Sequence, residues 1–209
     1  MAPAPNHPDA SETGQPSAGS YALDPEERAY DMELVRRAKG GDRDAFQELY
    51  ERHRHKVYRV AVGMTRNQED ALDVVQDTFV KAHRSLERFE GRSSIGTWLC
   101  QIATHRAIDM GRRQKVRRAD PLEEGAVPGT KAGAAPVEKA QAEELREKLE
   151  EALGQLSEKH RTVFVLYTVK GMSYKEIAST LEISIGTVMS RLFYARKNLQ
   201  SLLAEFAPQ

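Results

Sequence analysis

A single cysteine, Cys100, leaves this chain of 209 residues without an intramolecular disulfide, which suits a reducing cytoplasm. No run approaches the roughly 20 apolar residues that a bilayer crossing requires, so no membrane insertion is expected. The amino terminus also lacks the cationic and hydrophobic segments of a secretion signal. Aromatic residues make up only 7% while charged residues reach 30%, and strict apolar/polar alternation is hard to find. The class these features predict is all-α. No glycine-rich phosphate loop follows a strand, and no nucleophile sits near a base. His53, His55, His83 and His105 form no HxxxH pair, and one cysteine allows no CxxC. No metal site, cofactor or enzymatic chemistry is therefore expected.

Charge of one sign is not in excess overall, since the formal net charge is zero, but that total hides local asymmetry. Between His105 and Arg118, Arg106, Arg112, Arg113, Lys115, Arg117 and Arg118 face only Asp109. Between Glu138 and Glu151 glutamates dominate. A local basic cluster is what phosphate neutralisation needs, so nucleic acid stays open as a partner.

Composition divides the chain. Residues 1–24 are rich in Pro, Ala, Ser and Gly without apolar periodicity and are expected to remain a disordered tail. A second such stretch, 119–137, reads as a flexible linker. Two small helical domains are predicted around it, over 25–118 and 138–206. In the first, Leu34, Val35 and Ala38 mark a short helix stopping at Gly40 and Gly41. Asp42 then caps a long helix through Met64. A helix starting near Glu69 is expected to bury Leu72, Val75, Phe79, Ala82 and Leu86. Its outward face carries Asp70, Asp73, Gln76 and Asp77. That is either an ordinary solvated face or a docking surface; Asp73 and Asp77, four apart, repel each other by a few tenths of a kcal/mol, which a basic partner would relieve. After a loop, Ile95, Trp98, Leu99, Ile102 and Ala103 define a helix that runs on into the basic segment, with Trp98, His105 and Arg112 nearly in line.

The second domain holds the most informative stretch, Met172 to Gln200, which reads as two short helices joined by a tight turn. Ser173 can cap the first while Glu176 reaches back to it, and Ser184 can cap the second. Ile185, Val188, Leu192, Ala195, Leu199 and Leu202 form the predicted buried stripe. The opposite face carries Gly186, Ser190, Phe193, Tyr194 and Lys197, flanked by Met189, Arg196 and Arg191. Such a pattern suits a helix lying in a major groove, cations on phosphates and rings or hydroxyls on base edges. The plainer alternative is a helical hairpin that closes a bundle.

Taken in order, Asp73–Arg113 and Leu153–Leu199 resemble regions 2 and 4 of the extracytoplasmic-function group of bacterial RNA polymerase sigma factors, and the likeness extends from about Leu34 to Leu203. The resemblance implies an initiation factor whose partners are core RNA polymerase, through the largest-subunit clamp helices and the beta flap, and promoter DNA. It implies docking on polymerase by Asp73, Gln76 and Asp77. Phe89, Arg92, Ser93 and Ser94, with His105 beyond them, would capture a flipped minus-10 base, and Arg112 and Arg113 would hold adjacent phosphates. Minus-35 duplex would be met by Ser173, Thr187, Met189, Ser190, Arg191, Phe193, Tyr194, Arg196 and Lys197. Such factors are commonly silenced by an anti-sigma partner, though no residue here identifies one.

This chain departs from the pattern in two places. His105 stands where relatives commonly have Asn, and a neutral imidazole offers one donor and one acceptor at most. Met189 and Tyr194 replace residues that are often basic, which removes two guanine contacts and leaves apolar surface suited to thymine methyls. The rival reading is a dimeric helix-turn-helix regulator that binds palindromic operators unaided.

Overall fold

Short polar side chains mark where helices begin in the computed structural model, which describes residues 25–119, 148, 151–169 and 171–204. Helix α1 (Pro25–Lys39) opens on proline, whose missing amide costs nothing there, and ends before Gly41, which takes a left-handed φ of 89°. Asp42 accepts from the Ala45 amide at 3.1 Å to start α2 (Arg43–Thr65). Asn67 does the same for Asp70 at 2.9 Å, so α3 (Gln68–Ser85) begins a residue before the predicted point. Ser94 accepts from the Thr97 amide at 3.1 Å at the head of α4 (Ile95–Ala119). Ser157, Ser173 and Ser184 cap α5 (Glu158–Thr168), α6 (Tyr174–Leu181) and α7 (Ile185–Leu203), and Ser173 with Glu176 completes the reciprocal capping box. Each cap satisfies an amide that the helix cannot, worth about 1 kcal/mol.

Among the described residues there is no strand, in keeping with the all-α expectation. The predicted tail and linker fall outside the described residues, apart from Ala119, which ends α4.

Helix α2 is the hub. It buries Ala45, Leu49, Val57, Val60, Ala61 and Met64, and α1, α3, α4 and α5 all pack on it. Each aliphatic side chain fully buried here contributes roughly 1.5–3 kcal/mol, so this packing outweighs any cap. Helix α5 sits against α2 because residue 63 is glycine: a Cβ there would come within 3.0 Å of a Val165 methyl. As a result Val163, Val165, Leu166, Met172 and Ile177 join the same apolar cluster as α2, α3 and α4. A smaller cluster of Ala152, Leu156, Ala195 and Leu199 anchors the far end of α7. No helix among the described residues is long and apolar enough to cross a membrane.

Two expected core positions are surface positions instead. Leu72 is 59% exposed and Ile185 is 48% exposed. Both lie at the rim of a buried stripe near a helix start, beyond what packs on that stripe among the described residues.

Helix α1 is clipped to α2 by a buried acid. Asp31, 2% exposed, accepts from Arg52 Nε at 2.8 Å, and His53 Nε2 lies 3.1 Å from its other oxygen without hydrogen-bond alignment. Burial works to raise the Asp31 carboxyl, but His53 and Arg52 outweigh it and hold the group below its ordinary value. A carboxyl held low stabilises the fold fully above its unfolded value of about 4 and loses that contribution as pH falls through the native value. Asp31→Asn should therefore lower unfolding free energy by about 3 kcal/mol at neutral pH, read from urea melts, with the gap to wild type closing in acid. Equal midpoints at pH 7 would contradict this role.

Candidate polymerase and nucleic-acid interface

Three faces carry the residues singled out in the sequence. The first is the outer side of α3. Gln76 lines a groove of about 690 Å³ between α2 and α3, with Leu72 and Val80 at its lip and Tyr50, Phe79 and His83 in its walls. The Tyr50 and Phe79 rings meet edge to face at 4.7 Å, as do Phe46 and His83 at 4.8 Å, so the walls are stiff. Asp73 is exposed and forms no ion pair among the described residues. Asp77 is different. Arg106 of α4 donates to it at 2.6 Å, which relieves the acid-on-acid repulsion predicted from sequence. Asp70 likewise accepts from Gln114 at 3.0 Å. One of the three carboxylates is therefore neutralised from within, and the exposed line of Leu72, Gln76 and Val80 runs along the same face. Sequence reasoning placed Leu72 in the core and did not single out Val80, so this line was missed; the spacing by four along the helix could have found it.

The second face is the loop before α4 and the outer edge of α4. Gly91 takes a φ of 73°, and a Cβ there would lie 3.2 Å from the Met32 terminal methyl, so glycine is required. Lys39 Nζ donates to the Phe89 carbonyl at 2.7 Å and the Glu87 carbonyl at 3.3 Å, tying the loop to α1. Sequence reasoning missed Lys39, because its partners lie about fifty residues on. Phe89 is 5% exposed, its ring 5.1 Å from Trp98, so it supports the loop from beneath rather than facing solvent. Arg92 is exposed and paired with Glu90. Ser93 is half-buried, and Ser94 is occupied by its cap and by the Thr97 hydroxyl at 2.9 Å. Of the basic end of α4, Arg106 is paired with Asp77, Lys115 with Glu158 and Arg112 lies 3.7 Å from Asp109. Arg112 and Arg113 are exposed.

The third face is α7. Met189, Phe193 and Tyr194 are exposed, as are Ser190, Arg196 and Lys197, while Thr187 and Arg191 are half-buried. Tyr194 stacks on His160 with ring centroids 6.1 Å apart, and the Arg196 guanidinium lies 5.0 Å over the Tyr167 ring. Ser173 is exposed but its hydroxyl and amide are both engaged with Glu176.

The second and third faces meet at a seam. His105 Nε2 lies 2.9 Å from the Thr180 carbonyl oxygen on α6, and Thr97 donates to Glu176 at 3.4 Å. Beside the Gly63–Val165 contact, Arg66 Nη1 donates to the Gly154 carbonyl at 3.5 Å, and Lys115 pairs with Glu158. Burial pushes the Arg161 guanidinium below its ordinary value; Arg66 adds to that and Glu158 opposes it, so apolar and polar contacts both run along the seam. Among the described residues no three His, Cys, Asp or Glu side chains gather as a metal site would require.

Known proteins resemble this chain in both of its halves. The family description "Sigma-70 region 2" matches residues 49–117 and "Sigma-70, region 4" matches 146–199. The RNA polymerase sigma-H factor of Pseudomonas aeruginosa is 34% identical over 187 residues, covering 84% of this chain and 96% of the relative. The ECF RNA polymerase sigma-E factor of Escherichia coli is 36% identical over 185 residues, covering 84% and 95%. Among solved structures, CnrH in complex with the cytosolic domain of CnrY aligns with a TM-score of 0.62 at 29% identity, over 84% of this chain and 98% of that one. The sigma factor RpoE in complex with the anti-sigma factor NepR from Bartonella quintana gives 0.62 at 26%, over 76% and 96%. The chain belongs to the extracytoplasmic-function sigma factors of the sigma-70 family, which direct promoter-specific transcription initiation.

The seam depends on the missing side chain at 63. Gly63→Leu should push α5 off α2 at a cost of about 1–3 kcal/mol of overpacking, raising the radius of gyration in X-ray scattering while helical content stays constant. An unchanged radius would mean that Gly63 does not hold the two halves together.

Proposed function

We propose that this chain, without catalysis of its own, loads onto core RNA polymerase in the cytoplasm and supplies both promoter contacts. The observation that carries the reading is the pairing, in one chain, of an exposed α3 groove face with a capped helix-turn-helix whose second helix shows cations and rings but no acid. Asp73 and Gln76, flanked by Leu72 and Val80, dock on the clamp helices of the largest subunit. Asp77 contributes through the orientation that Arg106 imposes on it. The carboxy-terminal module rests on the beta flap and lays α7 in the minus-35 major groove.

At minus-10, the loop from Phe89 to Ser94 receives a base extruded from the non-template strand. Extrusion costs a few kcal/mol of stacking and pairing, which a close-fitting pocket returns. Phe89 shapes that loop from below, Arg92 and Ser93 face the strand, and Arg112 and Arg113 take neighbouring phosphates. His105 selects the base once its contact with Thr180 is given up, so strand capture and opening of the seam are coupled. Anti-sigma control is in keeping with the solved relatives, two of which are complexes with CnrY and with the anti-sigma factor NepR. A protein that holds the seam shut would silence both DNA-reading faces at once.

Charge reversal tests the docking face. Asp73→Arg should weaken binding to core polymerase by about 10- to 100-fold, measured by fluorescence anisotropy, and depress initiation at every promoter alike. Unchanged core affinity would refute the assignment.

A further inference from the structure

The face of α7 turned away from the core is more apolar than a groove-reading helix needs. Ile185, Met189 and Phe193 follow one another at intervals of four and are 48%, 51% and 61% exposed. At about 1.5 Å per residue they span about 12 Å, the rise of about three to four base pairs at roughly 3.4 Å each. The two hydroxyls nearest the ridge are already engaged. Ser190 Oγ donates to the Thr187 carbonyl at 3.1 Å, and the Thr187 hydroxyl lies 2.8 Å from that of Ser184. The Arg196 guanidinium rests over Tyr167. The helix carries Arg191, Arg196 and Lys197 and no acidic residue, so its charge fits a polyanion rather than a basic protein.

A ridge of this kind offers no donor to guanine O6 or N7, but its methyl, thioether and ring surfaces match the one apolar group in the major groove, the C5 methyl of thymine. Resting on the assignment of α7 to minus-35 duplex, we propose that Ile185, Met189 and Phe193 together read a short run of thymine methyls there. Ile185 becomes a specificity-determining residue, although its periodicity places it with the core. Ser190, its proton spent within the helix, serves only as an acceptor.

The test uses holoenzyme assembled from core polymerase and the full chain. Selection from duplex promoter fragments randomised upstream should return a run of about three to four T·A pairs. Replacing those thymidines by deoxyuridine removes only the methyl groups and should weaken holoenzyme binding by about fourfold per methyl. Ile185→Ala and Phe193→Ala should each weaken binding to the thymidine duplex and abolish the penalty for deoxyuridine at the positions they cover. Equal affinity for the two duplexes, or selection of a G·C-rich run, overturns the inference while leaving α7 as the DNA-facing helix. Selection of no upstream sequence overturns both.

Discussion

Burial of α2 on several sides at once is the constraint from which the rest of the molecule follows. Its apolar residues meet α1, α3 and α4, and the bare backbone at Gly63 admits α5 as well. A helix covered on one side only would fix one module. This one fixes the groove face of α3, the axis of α4 and the seat of the helix-turn-helix together. The electrostatic contacts trim that arrangement: Asp31 pins α1, Arg106 steadies Asp77, and Lys39 ties down the loop before α4.

The same constraint creates a conflict that function must resolve. His105 belongs to the edge of α4 that we propose meets single-stranded DNA, yet it and the buried Thr97 both contact α6, the first helix of the helix-turn-helix. Under the proposed function, two faces that meet promoter elements some distance apart cannot remain in contact while both are engaged. The seam combines an apolar cluster shared by both halves with the polar contacts of Lys115 and Glu158, Arg66 and Gly154, and His105 and Thr180. Opening it on polymerase would have to be offset by contacts with the enzyme and the promoter.

Local chemistry was legible in the sequence where partners lie within one turn. The caps at Asp42, Ser173 with Glu176, and Ser184 are satisfied three residues away, so spacing alone finds them. Helical periodicity located the stripes of α2 and α7, but it assigns an angle and not a neighbour. Leu72 and Ile185 share the angle of the core yet extend beyond what packs on it. Long-range pairings left no signal: Asp77 with Arg106, Lys39 with Phe89, and His105 with Thr180 are joined only by the fold. Phe89 illustrates the converse, since an aromatic in a loop suggests base stacking, whereas Trp98 behind it draws the ring inward.

The central claim is that one chain reads two separated DNA elements only when a polymerase holds its halves apart. Footprinting on a promoter fragment, with and without core enzyme, measures this directly. The account predicts two protected blocks, upstream and at minus-10, that appear only with core enzyme present, the second turning permanganate-reactive as strands part. A symmetrical footprint from the chain alone, unaffected by polymerase, would contradict it and favour a dimeric operator-binding regulator.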